Sequence, residues 1–329
     1  MSVGRLVRHL QPSVCVICAL AFIIVGNTPA HSAGPPSPDN RALIAKYNSL
    51  RTELAKNQFG IPLYLRSNND SGEQRAELYG IFQYPFASIR EALRTPAGWC
   101  DIVSLHLNIK ACTYYRKDDR WLLALYMGRK YYQPPEDADQ VDFDFHAAVR
   151  LDDYFEITLS SGNGPFYTED YRIMLEAAPL DATGTFVHFS YSYRYGFFSS
   201  LAAEGYFATI GRDKTGFSIT GSDKNGNPVY AGGIRGALER NAVRYYFALQ
   251  AYMDTLDIPG KGRLRKRLGR WFDLTARFPR QLYEMSRDEY IADKEREHDN
   301  QIALQKNGGE RGRFTGMSSA APARRLLPP

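Results

Sequence analysis

The feature that most restricts the fold is the close, even spacing of turn signals between residues 110 and 195. Runs at Lys110 to Arg116, Arg120 to Tyr131, Val141 to Leu151, Tyr154 to Ser160, Asp170 to Ala177 and Thr185 to Tyr195 are rich in aromatic and β-branched residues and read as strands. Asp118-Asp119, Pro134-Pro135-Glu136-Asp137, Asp152-Asp153 and Ser161-Gly162-Asn163-Gly164-Pro165 separate them. Connections this short leave no room for crossover helices, so an antiparallel meander is expected. An earlier strand is expected from Arg75, where Ala76, Leu78, Gly80 and Phe82 alternate with Glu77, Tyr79 and Ile81 up to Tyr84-Pro85. Gly216 to Gly221 reads as a short strand, and Phe198 to Ile210 as either a helix or a strand.

Helical spacing brackets these strands. Leu43, Ile44, Tyr47, Leu50 and Leu54 place a helix over Asn40 to Lys56, followed by a polar loop at Ser67 to Gly72. Phe86 to Leu93 and Trp99 to Leu105 read as short helices separated by Thr95-Pro96-Ala97. Leu238, Ala242, Tyr245, Tyr246, Leu249, Tyr252, Met253 and Leu256 mark a long amphipathic helix closed by Pro259-Gly260. Beyond it, Lys261 to Arg270 holds six Lys or Arg in ten residues, and Trp271 to Gln305 reads as one or two charged helices. Lys306 to Pro329 has almost no periodic apolar content and is expected to be disordered.

At the N-terminus, Arg5, Arg8 and His9 precede an apolar run of twelve residues, Val14 to Val25, too short for the roughly 20 a membrane span needs. Small residues follow at Thr28 to Ala33, with cleavage best placed after Ala30 or Ser32. Residues 1–32 are therefore expected to be a signal peptide, and the protein periplasmic or secreted. Cleavage removes Cys15 and Cys18, leaving Cys100 and Cys112, which are expected to pair in an oxidising compartment. It also lowers the formal charge from +5 to about +3, which gives no reason to expect nucleic acid as a partner. No zinc-type Cys/His spacing, nucleophile elbow or phosphate loop occurs, so neither a metal nor a cofactor is expected.

Tyr84-Pro85-Phe86-Ala87-Ser88-Ile89-Arg90-Glu91-Ala92-Leu93 with Trp99-Cys100-Asp101-Ile102 resembles the passage from first strand to first helices in the START-like superfamily. That group includes lipid-transfer domains and polyketide cyclases, and the amphipathic helix near Ala242 to Leu256 matches its closing helix in position. The resemblance implies an α+β helix-grip fold, a curved antiparallel sheet wrapped on a long C-terminal helix, with extra C-terminal helices, in a secreted bacterial protein. The domain is expected over 61–257, after an N-terminal helical segment (33–60) and before a basic helical extension (258–305) and a tail (306–329).

Such a fold implies a cavity for a hydrophobic, lipid-like molecule. Phe189, Tyr191, Tyr193 and Tyr195 share one strand face and, with Tyr245, Leu249 and Met253, are its candidate lining, or else simply core. A cyclase- or hydrolase-type alternative would use polar residues in the same cavity, with His146, Glu156, Glu176, His188 and Arg194 as candidates. Arg172 beside Glu176, and Arg194 near His188, can equally form exposed cross-strand pairs. Leu264, Leu268, Trp271 and Phe272 recur at helical spacing through the basic run, so Lys261 to Phe272 is either a solvated helix face or a peripheral membrane contact. A third possibility is an envelope protein that captures a partner through its C-terminal helices.

Overall fold

The computed structural model describes residues 38–70, 72–150, 153–164, 168–195 and 214–311. The expected signal peptide, the segment Phe198 to Ile210 and the tail beyond residue 311 lie outside the described residues. The first elements are helices α1 (Pro38–Ser49) and α2 (Arg51–Ala55). The single helix expected here breaks at Leu50, whose backbone sits at φ −107°, ψ 8°. Strands β1 (Leu63–Asp70) and β2 (Glu73–Phe82) pair as a hairpin from Leu63↔Gly80 to Asp70↔Glu73. The polar stretch from Ser67 is thus the end of an edge strand rather than a loop, since ladder pairing overrides weak strand propensity where side chains can stay in water.

Helix α3 (Phe86–Leu93) buries Phe86, Ile89 and Leu93 as one stripe. Helix α4 (Pro96–Val103) starts three residues before the expected Trp99, because proline's fixed φ suits a first helical turn. The Thr95 hydroxyl caps it, accepting from the Gly98 N–H at 3.2 Å. The meander follows as β3 (Ile109–Lys117), β4 (Arg120–Met127), β5 (Asp139–Arg150), β6 (Tyr154–Asn163), β7 (Thr168–Pro179) and β8 (Thr185–Tyr195). Asp118 and Asp119 both adopt left-handed φ, 47° and 60°, as a two-residue hairpin turn requires. A disulfide joins Cys100 of α4 to Cys112 of β3, with the Cα atoms 5.0 Å apart.

All eight strands form one antiparallel sheet in the order β1-β2-β8-β7-β6-β5-β4-β3. The last meander strand therefore lies against β2, and α3 and α4 carry the chain between the two ends of the sheet. A small hairpin, β9 (Ile219–Ser222) with β10 (Pro228–Tyr230), precedes helix α5 (Gly233–Met253), which packs on the inner face. Gly80 permits that close approach, because a Cβ there would overlap the Tyr246 hydroxyl. On the outer face Leu43, Leu50 and Leu54 of the N-terminal helices cover Tyr79, Tyr154, Ala178 and Phe186 in a second, smaller core.

The chain continues as α6 (Gly260–Thr275), the short α7 (Pro279–Leu282) and α8 (Arg287–Arg311), so helix occupies the first residues of the expected tail. These helices are part of the core. Leu268 and Trp271 are buried, the Trp271 indole donates to the Arg244 carbonyl at 3.0 Å, and its ring stacks on Tyr290 at 4.7 Å. Helix α8 lies along β3, the outermost strand at that end. Gln301 Oε1 accepts from the Cys112 N–H at 2.8 Å, and Gln305 accepts from the Tyr114 N–H at 2.9 Å while donating to its carbonyl at 3.0 Å. Four helical residues rise about 6.0 Å and two strand residues about 6.6 Å, so glutamines one turn apart meet alternate edge groups. The Lys294 ammonium donates to the carbonyls of His106 and Ile109, both at 2.7 Å, and Lys110 pairs with Glu297 at 2.7 Å.

Candidate functional site

Strand alternation and α5 together assemble an aromatic wall on the inner face. Phe189, Tyr191 and Tyr193 of β8 point inward, as does Tyr171 of β7, and Tyr245 meets them from the helix. Tyr171 stacks on Tyr193 at 5.0 Å, and the Tyr191 ring lies 5.5 Å from Tyr193 and 5.5 Å from Tyr245. Tyr195 continues the row, 5.2 Å from Tyr193, and is the one member of it that is only partly buried. Leu249 and Met253 extend the same core along α5. All seven residues expected to line an inner site are part of the inner core or packed against it.

The phenols are not proton-transfer groups at ordinary pH. Burial pushes Tyr171 up to about 12, and it raises Tyr191, Tyr193 and Tyr245 as well, so every hydroxyl stays protonated as donor and acceptor. The Tyr193 and Tyr195 hydroxyls lie 3.5 Å apart. Two neighbours were not among the expected lining residues. Tyr171 has the same alternation signal as Tyr191, one strand away. His106 stacks on Tyr245 at 4.5 Å while its Nδ1 accepts from the Asn108 N–H at 3.1 Å, and burial holds its pKa well below the usual imidazole range.

The polar candidates do not share this site. His146, Glu156, Glu176, His188 and Arg194 all sit on the outer face, because each is offset by one residue from inward neighbours such as Phe145, Ile157, Leu175, Phe189 and Tyr193. The expectation of a catalytic cavity built from them is corrected accordingly. His146 is exposed, and Arg194 forms an exposed cross-strand pair with Asp170 at 3.2 Å. His188, by contrast, is buried between two carboxylates, with Nδ1 2.6 Å from Glu176 and Nε2 3.4 Å from Glu77. Tyr154 donates to Glu176 at 2.5 Å, and Tyr79 stacks flat on the imidazole at 4.3 Å. Burial opposes a charge on His188, but the bonds to Glu176 and Glu77 outweigh it and raise its pKa; the His188 bond in turn lowers Glu77, and Glu176 falls despite its burial. With both ring nitrogens facing carboxylates, His188 ties β2, β8 and β7 together.

A sheet whose first and last main strands adjoin, with two short helices inserted after the first and a long helix laid along the inner face, leaves one reading of the architecture. That strand order and helix placement are the helix-grip arrangement that the resemblance implied. No protein-family description and no curated protein sequence matches the chain. Solved structures similar to it include human StAR-related lipid transfer protein 5, at 9% identity over 66% of this chain and 95% of that one, with a TM-score of 0.32. A Streptomyces aromatase/cyclase matches at 8% identity over 55% and 92% of the two chains, TM-score 0.30. Norcoclaurine synthase from Thalictrum flavum matches at 10% identity over 42% and 86%, TM-score 0.31. At such scores the fold assignment rests on strand order and helix placement.

Three open spaces among the described residues lie away from the aromatic wall. Two voids of about 20 and 10 Å³ sit beneath α6 and α8, the second with room for no more than one water molecule. A larger concavity of about 800 Å³ opens at the surface where the end of α5 meets α6 and α8. Residues expected to form an interfacial helix along Lys261 to Phe272 are partly withdrawn from that surface: Leu268 and Trp271 are buried, and Leu264 and Phe272 pack against the core. The apolar stripe of α6 therefore serves the fold. What it leaves outside is charge.

Proposed function

We propose that the protein binds a hydrophobic or amphipathic small molecule against the tyrosine wall between β8 and α5, and that it does so after export to the periplasm or beyond. The observation that carries this is the convergence of Tyr171, Tyr191, Tyr193 and Tyr245 on one inner surface. Aromatic rings supply large contact areas, while their protonated hydroxyls can orient a polar group of the ligand. Tyr171, Tyr191, Tyr193 and Tyr245 are buried, so binding begins at the partly exposed Tyr195 end and turns rings aside. Export is supported by the charged and apolar order of the first 32 residues and suits the Cys100–Cys112 disulfide. Peripheral contact with a membrane along α6 completes the proposal, through its basic face rather than its apolar stripe.

The direct test is to purify the chain from Ala33 onward, extract it with organic solvent, and examine the extract by mass spectrometry alongside titrations with a panel of lipids. A bound apolar species is expected, and Tyr191→Ala should weaken its binding about tenfold, as loss of a large apolar contact of about 1.5 kcal/mol implies. An empty extract with no binding across the panel would remove the proposal. Export is tested by fusing residues 1–32 to a reporter and fractionating the cells; reporter retained inside the cytoplasm refutes it.

A further inference from the structure

The surface concavity of about 800 Å³ is walled by Asp254, Thr255 and Ile258 at the end of α5, by one face of α6, and by Arg287 and Ile291 of α8, with Tyr84 beneath. Its cations are Arg265, Lys266, Arg270 and Arg287, against two carboxylates, Asp254 and Asp273. The carboxylates are committed: Asp254 accepts from Arg270 at 2.5 Å and from the Tyr84 hydroxyl at 2.7 Å, and Asp273 pairs with Arg287 at 3.3 Å. Arg265 reaches outward to Glu295 at 2.8 Å. Arg267, in the middle of the basic run, turns inward to Asp101 at 2.9 Å and takes no part. With those pairs made, the excess positive charge falls on Lys266 at the rim, while Ile258, Ile291 and Tyr84 line the interior. Gly269 keeps the wall of α6 low, since a Cβ there would lie 2.6 Å from the Arg287 guanidinium.

We infer that this cleft takes the phosphate-bearing headgroup of an anionic phospholipid presented at a bilayer surface, which deepens the membrane contact proposed above and rests on it. Charge complementarity favours a phosphate, and the apolar interior favours one with glycerol or acyl carbon attached. The wide opening favours a ligand held by a surface over a free solute, because soluble ligands are recognised by near-complete enclosure. Each basic residue near an anionic surface strengthens adsorption about fivefold.

The test is flotation of the chain from Ala33 onward with vesicles of phosphatidylcholine alone or with about one-third phosphatidylglycerol, at low and high salt. Binding is expected only with phosphatidylglycerol, falling about fivefold for Lys266→Ala and further for Lys266→Glu, with Lys117→Glu at the end of β3 as a control that leaves it unchanged. Equal binding to both vesicles, or an equal loss in the control, overturns the inference. So does protection of the cleft by glycerol phosphate in solution without any vesicle binding, which would assign the site to a soluble phosphate. Ligand extraction reads the tyrosine wall and flotation reads the cleft, so each can fail without the other.

Discussion

Replacing Gln301 and Gln305 with alanine should cost about 3 to 4 kcal/mol of stability, although both belong to a helix that looks like a charged appendage. The magnitude follows from what the glutamines satisfy. Gln301 is the acceptor for the buried Cys112 N–H, and Gln305 serves both backbone groups of Tyr114. An unsatisfied buried N–H costs about 1–3 kcal/mol, and the partly buried pair at Tyr114 about 1 kcal/mol for each bond. With a urea dependence of about 2–3 kcal/mol per molar, the unfolding midpoint should fall by about 1.5 M. Hydrogen exchange gives the local readout: the amides of Cys112 and Tyr114 should lose protection in the double variant more than those of β7. Gln301→Glu keeps an acceptor and should retain most of the Cys112 protection. If Gln301→Ala/Gln305→Ala leaves both the midpoint and the exchange of these two amides unchanged, α8 does not cap the β3 edge in solution.

Three further outcomes are expected. His188→Gln should destabilise the sheet by about 3 kcal/mol, since it leaves Glu77 and Glu176 without their cation. The raised His188 contributes fully below its ordinary value of 6.5 and fades as pH climbs through its folded pKa, whereas the lowered Glu77 and Glu176 contribute above 4.5 and fade as pH falls through theirs. The gap between wild type and variant should be widest between about pH 4.5 and 6.5 in urea melts, and a gap constant up to about pH 9 would refute the charged state. Gly80→Ala should lower the melting temperature because of its overlap with Tyr246, and Tyr246→Leu should recover part of the loss; a larger loss in the double variant would refute the contact. Reduction, or Cys100→Ser with Cys112→Ser, should cost about 3 kcal/mol, with a free-thiol assay first establishing that the native pair is closed.

Period-two alternation and turn chemistry are local properties, which is why β2 to β8 and their antiparallel order were legible in the chain. Asp118-Asp119 and the helical spacing through Leu238 to Met253 were legible for the same reason. The two faces of a strand are equally visible in a sequence, but which face turns inward is settled only when a helix lands on it. Phe189, Tyr191 and Tyr193 meet α5, so His188, Glu176 and the other polar candidates go to the opposite side, although nothing in their own order distinguishes the two cases. The end of β1 was hidden because Ser67 to Asp70 owes its strand to its partner.

The C-terminal helices show the same division. Composition determined that Lys261 to Arg270 would be strongly basic and that its apolar residues would recur at helical spacing. Tertiary structure alone decided that Leu268 and Trp271 face the core and that Arg267 turns in to Asp101. It also decided that Gln301 and Gln305 meet a strand nearly 190 positions earlier, an edge contact of 189 and 191 residues' separation. Sequence periodicity reports which residues share a face; only packing reports what that face meets.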